Sequence, residues 1–113
     1  MYRDPAEPAI KFGCVIINIA NDFSFFPSGR TKQDGPNSGE RFREGFLIPA
    51  IINNKNVIVE LDGTLGLASS FLEEAFQNIF NEYDANIELV TSDQSLVLEI
   101  TKYMMSRRIK NVY

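Results

Sequence analysis

Histidine and tryptophan are absent from the 113 residues, and cysteine occurs once, as Cys14. Without histidine there is no Ser-His-Asp or Cys-His catalytic set and no imidazole ligand for zinc or a similar metal. One cysteine cannot close an internal disulfide. Cys14 lies in the apolar run Cys14-Val15-Ile16-Ile17, so the expectation is a small buried hydrophobe rather than a nucleophile. Positive charge is also in short supply. Lys and Arg number 11 against 15 Asp and Glu, a net charge of −4, which is the wrong sign for a nucleic-acid footprint. No apolar run approaches the ~20 residues of a membrane helix. The opening MYRDPAEPAI mixes charges with two prolines and has no apolar signal-peptide region. These absences lead to an expectation of a cytoplasmic domain with no metal, no cofactor, no nucleic-acid partner and no membrane partner.

What is present is ordinary globular composition, with 44% hydrophobic and 23% charged residues. The length suits a single domain over residues 1–113, with residues 1–9 as a flexible arm because Pro5 and Pro8 disfavour helix and central strand. Ile10 to Ala20 reads as a first strand. Asn21 to Asn37 is a long irregular stretch, of a length that is often functional or disordered. Two readings stay open for it. It is either a surface loop pinned to the core by Phe23, Phe25 and Phe26, or, over Gly29–Gly39, an anion- or nucleotide-binding loop with Arg30, Ser38, Gly39 and Arg41. It lacks the GxxxxGK[ST] spacing of a phosphate-cradling loop. A helix is predicted over residues 38–53, capped by Asn37 or Ser38, with Phe42, Phe46, Leu47, Ala50 and Ile51 inward. Pro49 lies inside this pattern and predicts a bend or stop near Gly45–Pro49.

The chain is organised around residues 56–83. Val57, Ile58, Val59 and Leu61 predict a central strand covered on both faces. Asp62-Gly63 is a turn signal, and Gly66 adds a second flexible point. Ser70 with Glu73 has the spacing of a capping box. Leu72, Phe76, Ile79, Phe80 and Tyr83 then share one helical face. This places Ser69 and Ser70 at the positive end of a helix, just past a buried strand, where ligands of open α/β sheets tend to sit. Ile87 to Thr91 reads as a strand nearer the edge. Ser92 or Asp93 starts a last helix with Leu96, Val97, Ile100, Tyr103 and Met104 inward, and Arg107, Arg108 and Lys110 near its end. Alternation of this kind implies an α/β fold, with a mainly parallel or mixed sheet of about four strands packed by about three helices. A fourth strand is expected within residues 21–35 or before Gly13.

Glu60-Leu61-Asp62-Gly63-Thr64-Leu65 resembles the haloacid dehalogenase signature DxDGT. It departs from it where chemistry would start, with Glu60 at the nucleophile position, and it ends the second strand rather than the first. A closer likeness is carried by two segments, DFSFFPSGRTKQDGPNSGERFREGFLIPAI and VIVELDGTLGLASSFLEEAFQNIF. They resemble a STAS-like family of small bacterial proteins, itself similar to anti-sigma factor antagonists. The resemblance implies a regulatory, non-enzymatic domain that binds a protein partner, such as a histidine-kinase-like ATPase. It further implies phosphorylation of a serine at the start of the helix after the central strand, here Ser69 or Ser70. Asp62, Gly63, Thr64 and Gly66 would then belong to the partner surface. Ala68 and Phe71 stand where that motif has aspartate and glycine.

Overall fold

A computed structural model describes residues 12–105. The expected arm at 1–9 and the basic residues Arg107, Arg108 and Lys110 lie outside them. Among the described residues the sheet has three strands: β1 (Phe12–Asn18), β2 (Asn54–Glu60) and β3 (Ile87–Val90). Their order is β1-β2-β3 and both pairings are parallel. The central place of β2 and the parallel pairing match the sequence expectation. Of the two places expected for an additional strand, residues 21–35 do not hold one, and the stretch before Gly13 lies almost wholly outside the described residues. Residues 21–35 instead hold a π-helical turn (Ile19–Phe23) running into them and a 3-10 turn (Lys32–Asp34).

Register explains the core. Val15 pairs with Val57 and Val57 with Ile87, while Ile17 pairs with Val59 and Val59 with Leu89. These rows point at the helices, and Ile17, Val57 and Val59 are buried with Phe42, Leu47, Phe71, Leu72, Phe76, Ile100 and Met104. The alternate residues point the other way, since side chains on a strand alternate between faces. Ile16, Glu88 and Val90 on that second face are exposed and Ile58 is half-buried. Among the described residues the helices therefore cover one face of the sheet, not both. Cys14 is exposed rather than buried, because it shares parity with Ile16 and not with Val15 and Ile17.

The first helical segment runs without interruption from Gly39 to Asn53, but not as one α-helix. It comprises α1 (Gly39–Phe42), a π-helical turn (Arg43–Leu47) and α2 (Ile48–Asn53). Pro49 has no N–H to give to Gly45. The chain adapts just before it, where Ile48 N–H donates to Arg43 O, five residues back. The wider turn also sets Phe42 and Leu47, five apart, into the same core with no exposed surface. Proline thus produces a π-helical turn in place of a stop.

The helix expected through Tyr83 is divided into α3 (Ser69–Phe76) and α4 (Ile79–Glu82). Asn78 separates them in the left-handed conformation, φ 58°, which asparagine tolerates better than most residues. Its N–H donates to Tyr103 O at 3.2 Å, anchoring the break on α5 (Gln94–Met105). One result is that Phe80 leaves the predicted inward face and is 41% exposed. Asp93 begins α5, its Oδ1 accepting from Ser95 N–H at 3.0 Å. No helix among the described residues is long and apolar enough to cross a membrane.

Candidate functional site

Parallel strands all end on the same side, and here the segments leaving them are bonded together. At the last residues of β1 and β2, Asn18 Nδ2 donates to Glu60 Oε1 at 3.2 Å. After β2, Leu61 N–H donates to Val90 O at 2.9 Å. Asp62 then bridges to the end of β3. Its Oδ1 accepts from Thr91 Oγ1 at 2.8 Å and its Oδ2 from Ser92 N–H at 3.0 Å. These bonds favour the ionised form, the Thr91 hydroxyl most and the Ser92 amide next, and hold the Asp62 carboxyl below its ordinary pKa. Gly63 makes the turn with φ 106°, and a Cβ there would stand 3.3 Å from Ala20 Cβ.

Asp62, Gly63, Thr64 and Gly66 line one cleft of about 440 Å³ with Leu67, Ser92, Asp93 and Leu96. The four turn residues singled out by sequence are therefore brought together, as is usual at the carboxyl ends of parallel strands. Ser69 and Ser70 follow within the first turn of α3 rather than lining the cleft. Ser69 is exposed and Ser70 half-buried.

The capping box expected at Ser70 is not formed. The N-cap is Ala68, with extended backbone (φ −71°, ψ 147°) and no side-chain cap, and Leu72 N–H already donates to Ala68 O at 3.1 Å. Phe71 and Leu72 are both fully buried, so the helix starts early enough to carry them in. Ser70 thereby has helical backbone and cannot fold back as a cap residue does. Among the described residues, no side chain caps the first amides of α3.

Near Ser69, Tyr103 Oη of α5 donates to Glu99 Oε2 at 2.6 Å; that bond and burial push the phenol pKa up, and the Ser69 hydroxyl acts the opposite way. One turn on, Glu73 accepts from Arg30 Nη1 at 2.6 Å. Sequence patterning gave no hint that Ser69 and Tyr103 are neighbours, because they come from two helices.

The proposed anion-binding residues are placed differently. Ser38 is fully buried and caps α1, its Oγ accepting from Arg41 N–H at 3.3 Å. Gly39 N–H donates to Gly29 O at 3.0 Å and Glu40 N–H to Arg30 O at 2.9 Å. The loop's own oxygens thus occupy the amides an anion would use. Arg30 turns to Glu73, whereas Arg41 lines a separate hollow with Lys32, Glu44 and Phe46. Alanine at Ser38 is expected to cost about 1 kcal/mol as a lost cap, whereas Ser70→Ala should cost nearly nothing. Parallel urea titrations of the two variants check this, and an equal loss in both would contradict the cap assignment.

The long loop splits its phenylalanines. Phe23 packs edge-on at 5.3 Å against both Phe42 and Phe46, so one anchor expected from sequence holds. Phe25 and Phe26 face outward, 56% and 61% exposed, and Leu65, whose N–H donates to Phe25 O at 3.0 Å, is 60% exposed.

A model of the STAS-like domain of unknown function (DUF4325) matches residues 38–95, about half of the chain. The match runs from the Ser38 cap through β2, the Asp62 cleft and α3 to the start of α5. No curated protein matches the chain significantly, and no solved structure does.

Proposed function

We propose, since the chain belongs to the STAS-like DUF4325 family, that it is a non-enzymatic regulatory or adaptor domain that binds a protein partner. The partner surface is the Asp62–Gly66 turn with the start of α3, and Ser69 is the residue whose modification alters binding. The observation that carries this reading is the position of Ser69. It is exposed, in the first turn of the helix that follows the central strand, where uncapped amides and the helix dipole favour negative charge.

A phosphate on Ser69 would replace the hydroxyl proton and add about two negative charges near Tyr103. Glu99 and Glu73 would oppose that charge, while Arg30, held on Glu73 one turn away, is a cation in a position to re-pair with it. The likeness to anti-sigma factor antagonists supports a histidine-kinase-like ATPase as the kind of partner. The nucleotide-binding alternative has less in its favour, because the Gly39, Glu40 and Arg41 amides already have acceptors.

The test starts with a pull-down from the native host and phosphopeptide mapping of the protein made there. Ser69→Asp is then expected to change the partner's Kd by about tenfold, roughly 1.4 kcal/mol, with an unchanged unfolding midpoint. Absence of any modification at Ser69, together with wild-type binding by Ser69→Asp, would overturn the switch. A thermal shift with nucleotides would favour the alternative.

A further inference from the structure

Phe25, Phe26 and Leu65 form an exposed apolar patch beside the Asp62 turn, each more than half exposed. Large exposed apolar groups gathered in one place mark interaction surfaces far more than scattered ones do. The patch is joined through the Leu65–Phe25 backbone bond, so it is one surface built from the segments after β1 and β2.

Its surroundings are acidic for a topological reason. Each strand is followed by an aspartate: Asp22 after β1, Asp62 after β2 and Asp93 after β3. Parallel pairing brings all three to the same end of the sheet. Each is fixed by neutral donors. Asp22 accepts from Asn18 N–H at 2.7 Å, Asp62 from Thr91 and Ser92, and Asp93 from the Ser95 hydroxyl at 2.6 Å. The ion pairs among the described residues lie elsewhere, between Arg30 and Glu73, Lys32 and Glu44, and Arg43 and both Glu44 and Glu74. The negative charge at this end is thus fixed in place and not neutralised by lysine or arginine among the described residues.

We infer that the carboxyl end of the sheet receives a cationic, amphipathic protein segment, whose apolar side covers Phe25, Phe26 and Leu65 and whose Lys or Arg residues meet Asp22, Asp62 and Asp93. This rests on the reading that the same end meets a protein, and names the chemistry of that protein. Charge complementarity selects the occupant. A second copy would oppose the three aspartates with three more, and an anionic lipid surface would be repelled by them. Burial of the aromatic anchors supplies affinity, while the charges supply orientation and rate.

The experiment uses the full chain, labelled with 15N, and a synthetic helical peptide of leucine and lysine in amphipathic order. Its controls are the matched leucine–glutamate peptide, oligolysine, and vesicles of phosphatidylcholine with phosphatidylglycerol. The leucine–lysine peptide is expected to shift the amides of residues 22–26 and 62–66 selectively and to bind at least about fivefold tighter than either control peptide. Phe26→Ser with Leu65→Ser should weaken it by about tenfold, and added salt should weaken it further. Selective shifts elsewhere, equal binding of oligolysine or of the glutamate peptide, or preference for the vesicles would each overturn the inference. The same holds for self-association through these amides on concentration. The peptide-shift map needs no variant, so the test stands even if the double substitution fails to fold. A native partner that responds to Ser69→Asp but is indifferent to Phe26→Ser and Leu65→Ser would leave the proposed function standing and remove this inference alone.

Discussion

Phe42→Ala is expected to lower the unfolding free energy by about 3–5 kcal/mol. Phe42 has no exposed surface and stands where the aromatic rings meet. Phe23 approaches edge-on at 5.3 Å, Phe46 stacks at 6.0 Å, and Phe71 and Phe76 each lie at 6.1 Å. Truncation removes the ring's own burial and also strips contacts from four neighbours, which come from the loop, the first helical segment and α3. Those elements cannot collapse together into the space, because each is held by other bonds. A small domain is stable by only about 5–15 kcal/mol, so this one change takes a large share. Urea denaturation followed by circular dichroism measures it. A loss under about 1 kcal/mol would mean that the rings do not form the packing centre described.

Gly39→Ala is the second large effect, and its sign is opposite to the usual one. Alanine in place of an exposed helical glycine ordinarily stabilises, by up to about 1 kcal/mol. At Gly39 a Cβ would stand 2.5 Å from Phe71 O, 2.9 Å from Glu74 Cβ and 3.0 Å from Ala75 N. Two of those three atoms are backbone, so α1 and α3 must separate. The expected cost is about 2–3 kcal/mol, with a fall in Tm of about 10 °C or more. Gly45 is the internal control. It lies in the π-helical turn, and a methyl group added there would meet nothing within 4 Å, so Gly45→Ala should be neutral or mildly stabilising. If both variants behaved alike in thermal denaturation, close helix approach at Gly39 would not be what matters.

The order of elements was legible because the signals were periodic. Val57 and Val59 announce a strand, Phe42 and Leu47 an inward helical face, and alternation of the two kinds announces parallel pairing. Features that depend on competition between local and distant forces were not legible. Cys14 looked buried because an apolar run does not say how many faces of a sheet have helices. Pro49 signalled interruption, but the outcome was decided by Phe42 and Leu47 both needing the core. Ser70 had the right spacing for a cap, yet burial of Phe71 and Leu72 set the helix start at Ala68. Asn78 carried no periodic signal at all, because its left-handed turn is fixed by the bond to Tyr103. The candidate turn at Asp62–Gly66 was readable from its glycines and aspartate. The exposed Phe25, Phe26 and Leu65 were not, since aromatic residues in a loop look like anchors until their partners are known.

The parallel sheet has a kinetic consequence. No two of its strands are joined by a hairpin. Phe12 pairs with Asn54 and Val57 with Ile87, so every rung of the ladder closes a long loop before any pairing energy is gained. During synthesis, β1 leaves the ribosome well before β2 has been made. Its apolar residues Val15, Ile16 and Ile17 wait unpaired through the whole of the Phe-rich loop and first helical segment, and this is the interval in which the nascent chain is most open to association with other chains.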